Sequence, residues 1–228
     1  MRRVLRIALW SSIAGLLVLA GAALILYRGT QQVPEFYQQA MRSQGSPDQQ
    51  VQLGDELERT ALALHNAAIK PGQWQAEFTA PQINGWLAAI LPRNHPGTLP
   101  AEVRDPRVKL DASSLQLAWR LDSERFQAVI SVQADLYLTD QPNQIAIRLH
   151  AVRAGWVPVP LTPILEEASE AARRAGVDLS WSQRDGDPVA LLRVPSRHPE
   201  YPDRELHVDS LQLGEGKVTV AGHTERRR

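Results

Sequence analysis

From Ile7 to Tyr27 the chain runs without one charged residue, and no later stretch repeats this. At 1.5 Å rise per residue, a helix of about 20 residues crosses the ~30 Å hydrocarbon core of a bilayer. The run therefore predicts a membrane-spanning helix over residues 7–27. Arg2, Arg3 and Arg6 flank it on one side and Arg28 on the other. That asymmetry predicts a cytoplasmic N-terminus and an extracytoplasmic remainder, on the periplasmic side. Leu19-Ala20-Gly21-Ala22 also offers the small-x-small pattern read by signal peptidases. The run continues through Leu24-Ile25-Leu26, long for a signal peptide, and Tyr27 sits where an interfacial aromatic belongs, so an uncleaved single-pass anchor is expected. The pairs Ala8/Ser12 and Ser11/Gly15 are small enough to let two such helices pack.

Beyond the anchor the period becomes helical. Residues 29–45 are polar and are expected to form a juxtamembrane spacer, with a short helix from Pro34 to Ala40. Ser46-Pro47-Asp48-Gln49 combines an N-cap serine, a proline at the first helical position and a glutamine three residues after the cap. Leu53, Leu57, Ala61, Leu64 and Ala68 then recur at helical spacing, predicting an amphipathic helix that stops at Pro71-Gly72. Trp74, Ala76 and Phe78 alternate as in a strand. Thr79-Ala80-Pro81-Gln82 repeats the cap chemistry ahead of the apolar face Ile83, Trp86, Leu87, Ile90 and Leu91. Prolines at 92, 96, 100 and 106 make residues 92–106 read as loop.

The period then falls to two. Leu115, Leu117, Trp119 and Leu121 alternate with polar residues. After Asp122-Ser123-Glu124-Arg125, the series Phe126, Ala128, Ile130, Val132, Ala134, Leu136, Leu138 predicts a strand of 13 residues, about twice the usual length. Asp140-Gln141-Pro142-Asn143 turns the chain, and Ile145, Ile147 and Leu149 begin the return. Thr162-Pro163 opens another helix, with Ile164, Leu165, Ala168, Ala172 and Ala175 as its stripe. Two hairpins follow, around Asp185-Gly186 and Gly214-Glu215-Gly216, and the alternation slips by one between Val208 and Leu211, which predicts a bulge. The fold class is α+β: a transmembrane helix, then a long curved antiparallel sheet packed against amphipathic helices. The expected organisation is 1–28 cytoplasmic tip and anchor, 29–45 spacer, 46–72 amphipathic helix, 73–224 exported domain and 225–228 basic tail.

Composition narrows the chemistry. The absence of cysteine excludes disulfides, thiol catalysis and thiolate metal sites. The formal charge is zero, yet the first 28 residues hold four arginines and no acid, so residues 29–228 hold 21 basic and 25 acidic groups. That balance argues against a nucleic-acid partner. No nucleophile elbow, phosphate-binding glycine loop, dinucleotide fingerprint or zinc-protease helix is present, so no enzyme activity is expected. No cofactor is implied. His207 and Asp209 share a strand face, but a metal needs three or four convergent ligands. Asp185-Gly186-Asp187 reads as turn chemistry rather than a calcium loop.

Tryptophans 74, 86, 119, 156 and 181 fall in successive elements. Two readings share the same pattern: packing residues of a filled core, or the lining of an apolar groove. The candidate lining is Trp86, Trp119, Phe126, Ile130, Val132, Ile147 and Leu149, with lipid or another apolar molecule as the ligand. The alternative is a ligand-free scaffold that docks an envelope protein through the polar sheet face, the 92–106 loop, the Arg197–Arg204 loop or an exposed edge strand at Lys217–Ala221.

Val33-Pro34-Glu35-Phe36-Tyr37, Phe78 to Leu87, Asp105-Pro106-Arg107-Val108 and Arg153 to Pro160 resemble segments of uncharacterised single-anchor envelope proteins of planctomycete-type bacteria. More loosely, Thr79, Gln82, Ile83 and Asn84, followed by long strands and then Gly155, Pro158 and Pro160, are similar to bacterial envelope domains related to the tubular lipid-binding fold. That resemblance implies a curved sheet wrapped on a helix around a lipid groove, with Thr79 and Asn84 setting a helix start and no catalytic residues.

Overall fold

The computed structural model describes residues 28–123, 127–174, 176–197 and 200–227. The apolar run 7–27 and Phe126 lie outside the described residues. Among the described residues, no helix is long and apolar enough to cross a membrane.

The architecture is antiparallel sheet with a few helices. The larger sheet has the order β2 (Val103–Leu110), β3 (Leu115–Asp122), β4 (Gln127–Leu138), β5 (Gln144–Ala154), β8 (Asp187–Arg193), β7 (Asp178–Arg184), with the two-residue β6 (Val157–Pro158) pairing beside β5. The smaller sheet is β1 (Gly72–Thr79), β10 (Lys217–Arg226), β9 (Arg204–Gly214). Period-two alternation sets the register: Leu117, Trp119 and Leu121 oppose Val132, Ile130 and Ala128. These residues bury one face of the larger sheet, with Val152 and Ala154 of β5.

The helices begin where their caps are. α1 spans Glu35–Arg42. In α2 (Pro47–Ala68) the Ser46 hydroxyl accepts from Gln49 N–H and the Gln49 side chain accepts from Ser46 N–H. Thr79 and Gln82 repeat this capping box at α3 (Ala80–Gly85), which continues through a π turn (Trp86–Ile90) into α4 (Leu91–Asn94). α5 spans Thr162–Arg174. The α2 stripe is less buried than its spacing implies, since Ala61 is exposed and Leu64 half-buried. The helix instead makes its closest approach at Gly54 and Gly85. A Cβ on Gly54 would lie 2.5 Å from Ile90 Cγ1, and one on Gly85 2.7 Å from the Gln50 carbonyl.

Four expectations require correction. Residues 103–106 are strand, not loop: β2 is an edge strand, and its pairing breaks between Arg104 and Arg107, where Asp105 has φ 48°. Pro106, which has no N–H to donate, is accommodated in that irregularity. Lys217–Ala221 is no exposed edge, because β10 lies between β1 and β9 with partners on both sides. Asn84 does more than set a helix start: its amide binds a neighbouring strand, as described next. The 29–45 stretch is no free spacer either. Tyr37 of α1 is 5% exposed against Ala118 and Val129 on the sheet's second face, and its hydroxyl donates to the Asp105 carbonyl. Ahead of α1, Trp156 N–H donates to the Gly29 carbonyl. Gly155 has φ 60°, and a Cβ there would fall 2.0 Å from the Gly29 carbonyl oxygen, so only glycine admits this crossing.

Two asparagine amides tie the sheets to the rest of the molecule. Asn84 Oδ1 accepts from Val108 N–H (2.7 Å) while its Nδ2 donates to the Val108 carbonyl (2.9 Å), on the outer edge of β2. Asn143, in the β4–β5 turn, does the same to β9: Oδ1 accepts from Val208 N–H (2.7 Å) and Nδ2 donates to the Leu206 carbonyl (2.6 Å). Gly216 N–H, from the β9–β10 turn, donates to the Leu110 carbonyl at the end of β2. The smaller sheet is thus fastened to the larger at both ends of β9.

Asn143 is 4% exposed and adopts φ 57°. Asn143→Ala should lower stability by about 2–4 kcal/mol, because two backbone groups lose their partner, with roughly 1 kcal/mol more because alanine lacks the short polar side chain that lets asparagine tolerate the left-handed region. Asn143→Gly should recover only the latter part. Urea denaturation of the two variants measures the difference.

Candidate functional site

The larger sheet offers two faces with opposite character. On the apolar face, the predicted lining residues Trp119, Ile130, Val132 and Leu149 do come together. Ile130 is 5% and Val132 9% exposed, and Val159, Leu161 and Ile164 pack onto them from the segment entering α5. The segment that follows β5 therefore covers part of that face. Ile147 lies on that face, opposite Leu136 and Ala190, and is half-buried. Trp86 is not among them. It sits in the π turn, donates from Nε1 to Glu58 Oε1 of α2 (3.1 Å) and tilts against His95. Phe126 lies outside the described residues. The remaining tryptophans divide between packing and surface. Trp74 donates to Thr224 Oγ1, which donates to the Ala68 carbonyl at the end of α2, and Trp181 donates to Ser169 of α5. Trp156 is 43% exposed.

The polar face is where space and charge are found. Residues 32–39 seat Tyr37 on this face and leave beside it a groove of about 650 Å3. Gln116 of β3, Ser131 and Gln133 of β4, and Ala151 and Arg153 of β5 line one side. Phe36, Gln39 and Trp156 line the other, with Glu35 and Lys109 supplying opposite charges.

Farther along the same face lies a charged network that sequence reasoning missed. The β4–β5 register shifts between Gln133, which opposes Ala151, and Ala134, which opposes Leu149. His150 is the extra residue of this bulge. Its Nε2 lies 2.6 Å from Asp135 Oδ2 and its Nδ1 3.2 Å from Asp187 Oδ2. Arg148 completes the row, with Nε and Nη2 each 2.8 Å from Asp187 Oδ2 and Nη1 3.3 Å from Asp185. An imidazolium, with two N–H donors, serves both carboxylates, whereas a neutral ring serves one. The signal was in the sequence. Apolar positions run Ile145, Ile147, Leu149 and then Val152, Ala154, the same one-residue slip that marks the bulge after Val208.

That second bulge is as expected: Gly222 opposes Val208 and Ala221 opposes Ser210, leaving Asp209 unpaired. Asp209 Oδ2 meets His223 Nδ1 at 2.7 Å, and the His207 and His223 rings stack at 4.8 Å. Among the described residues, no three histidine, aspartate or glutamate side chains converge as metal ligands. The Asp185-Gly186 pair forms the expected hairpin turn, with φ 54° and 89°.

The hydrogen bonds from Arg148, with its charge and that of His150, hold Asp187 below the usual carboxylate range despite its partial burial. Arg148 is raised in turn, first by the Asp187 hydrogen bond. A depressed acid stabilises the fold fully above its unfolded pKa, and that contribution is lost as pH falls through the folded value. Arg148→Met should therefore raise the Asp187 carboxyl pKa and start acid titration at a higher pH, as read by carboxyl-carbon NMR.

In comparisons with known proteins, no family model, no curated protein and no solved structure matches this chain.

Proposed function

We propose that this protein is a membrane-anchored docking module of the cell envelope, with the polar face of the larger sheet as its binding surface. Residues 7–27 anchor it, the N-terminus faces the cytoplasm, and the described domain works outside. One observation supports docking over lipid carriage. The apolar face is packed by the chain's own Val159, Leu161 and Ile164, while the polar face carries the 650 Å3 groove and the Arg148–Asp187–His150–Asp135 row. Interfaces of non-obligate partners have this mixed character, with an aromatic such as Trp156 among polar groups. Electrostatic complementarity in such a row favours specificity and encounter rate over raw affinity. No enzyme activity is part of this reading.

Photo-crosslinking in the cell tests it. A photoreactive residue at Gln133 or Gln116 should give one discrete adduct with an envelope protein, and the same residue at exposed Leu62 of α2 should not. Equal labelling from both positions would sink the docking reading. Lipid carriage makes a different forecast. If Ile130 is core, Ile130→Ala should cost about 2–5 kcal/mol and Ile130→Arg should unfold the domain. A folded Ile130→Arg protein that has lost co-purifying lipid, seen by native mass spectrometry, would restore the groove reading.

A further inference from the structure

Arg107 is the largest fully buried side chain among the described residues, at 2% exposure. It lies beneath the turn from α1 to α2. Its Nη1 donates to the Pro106 carbonyl at 2.8 Å, and among the described residues this is its one side-chain hydrogen bond. Asp105 attracts it through space but makes no ion pair with it, its Oδ2 lying 3.0 Å from Arg120 Nη2. A guanidinium has five N–H donors and no acceptor, so most of its donors remain unspent. A buried charge in that condition is costly unless something paired with it supplies the opposite sign.

Arg107 lines a cavity of about 210 Å3, and no acid lines that cavity. Its other polar lining comes from Ser43 and Gln44 of the α1–α2 turn, Gln50 of α2 and Asn84 of α3. The space equals roughly seven water molecules at about 30 Å3 each, enough for one small oxyanion with its hydration. A planar guanidinium presents paired donors that match the oxygens of carboxylate or phosphate, and the Gln44 and Gln50 amides can turn an N–H inward, while that of Asn84 stays on Val108.

We propose that this cavity is a binding site for a single small oxyanion, a phosphate or carboxylate group, held by Arg107. The bound group neutralises the buried cation. Because the cavity is walled by α1, α2 and α3 together, its occupation also locks the docked segment 35–42 against the helices that follow. This site lies apart from the polar-face groove and does not rest on the docking reading.

The test uses the full chain in neutral-detergent micelles, melted in sodium chloride, sodium phosphate or sodium acetate at matched ionic strength. Phosphate or acetate should raise the melting temperature saturably, by several degrees at ten times Kd, over the chloride control. Two variants should abolish that increment: Arg107→Met, which removes the cation, and Gln44→Glu, which carries a carboxylate of its own into the cavity. Gln44→Glu should also melt higher than the parent in chloride alone, and it decides the matter if Arg107→Met fails to fold. Phosphatidic acid in the micelle distinguishes the sources. An increment with that lipid and none with inorganic phosphate assigns the group to a headgroup, and the reverse assigns it to a free ion. Increments no larger than in chloride, or increments that survive in both variants, would overturn the proposal.

Discussion

An edge strand exposes a row of backbone N–H and C=O groups that must bond to something, and how this chain meets that requirement organises much of its structure. At β2 and β9 the solution is a side-chain amide. Asn84 and Asn143 each offer one acceptor and one donor at the spacing of a strand backbone, and each takes up an edge N–H and an edge C=O. The amides do two things at once. They end the sheet where another chain could have paired, and they fix a helix and a turn to strands far away in sequence. The position of α3 against β2, and of the smaller sheet against the β4–β5 turn, follows from these contacts.

A second constraint comes from the bulges. A strand that adds one residue keeps its apolar side toward the core only if the extra residue goes outward. In β5 that residue is His150, and in β9 it is Asp209. Each then faces an ionisable partner from a neighbouring strand, so the charged clusters of this molecule sit where the alternation breaks. The packed face and the charged face are thus two products of the same register.

Much of this was legible in the sequence, for physical reasons that differ between elements. The capping boxes at Ser46 and Thr79 are local chemistry, complete within four residues, and both helices start there. The long strand β4 was readable because one face is buried along its length, which forces strict alternation. The strand β2 was not, because proline and a left-handed aspartate disguise an edge whose hydrogen bonds come from elsewhere. The docking of α1 was equally hidden. The stretch 29–45 reads as a polar spacer because Gln, Glu and Arg interrupt its few apolar residues, and the buried anchor, Tyr37, gains its meaning only from Ala118 and Val129 on strands far downstream. Among the candidate lining residues, four of the sheet positions were grouped correctly by period alone, while Trp86 was misplaced because helix residues carry no record of which layer they face. Arg107 escaped notice for a related reason: nothing in its neighbourhood along the chain says that it is buried.

The way residues 29–37 are fastened has a mechanical consequence. Tension arriving at residue 28 is met first by the Gly29–Trp156 backbone hydrogen bond and the Gln31 side chain on the Gln127 carbonyl, and only then by Tyr37 in its apolar seat. The two hydrogen bonds engage in series ahead of the Tyr37 cluster. A pull along the chain would therefore peel this clip before it strained the sheet, lengthening the link while the folded domain beyond it stayed whole. Under such a pull the segment would act as a mechanical fuse.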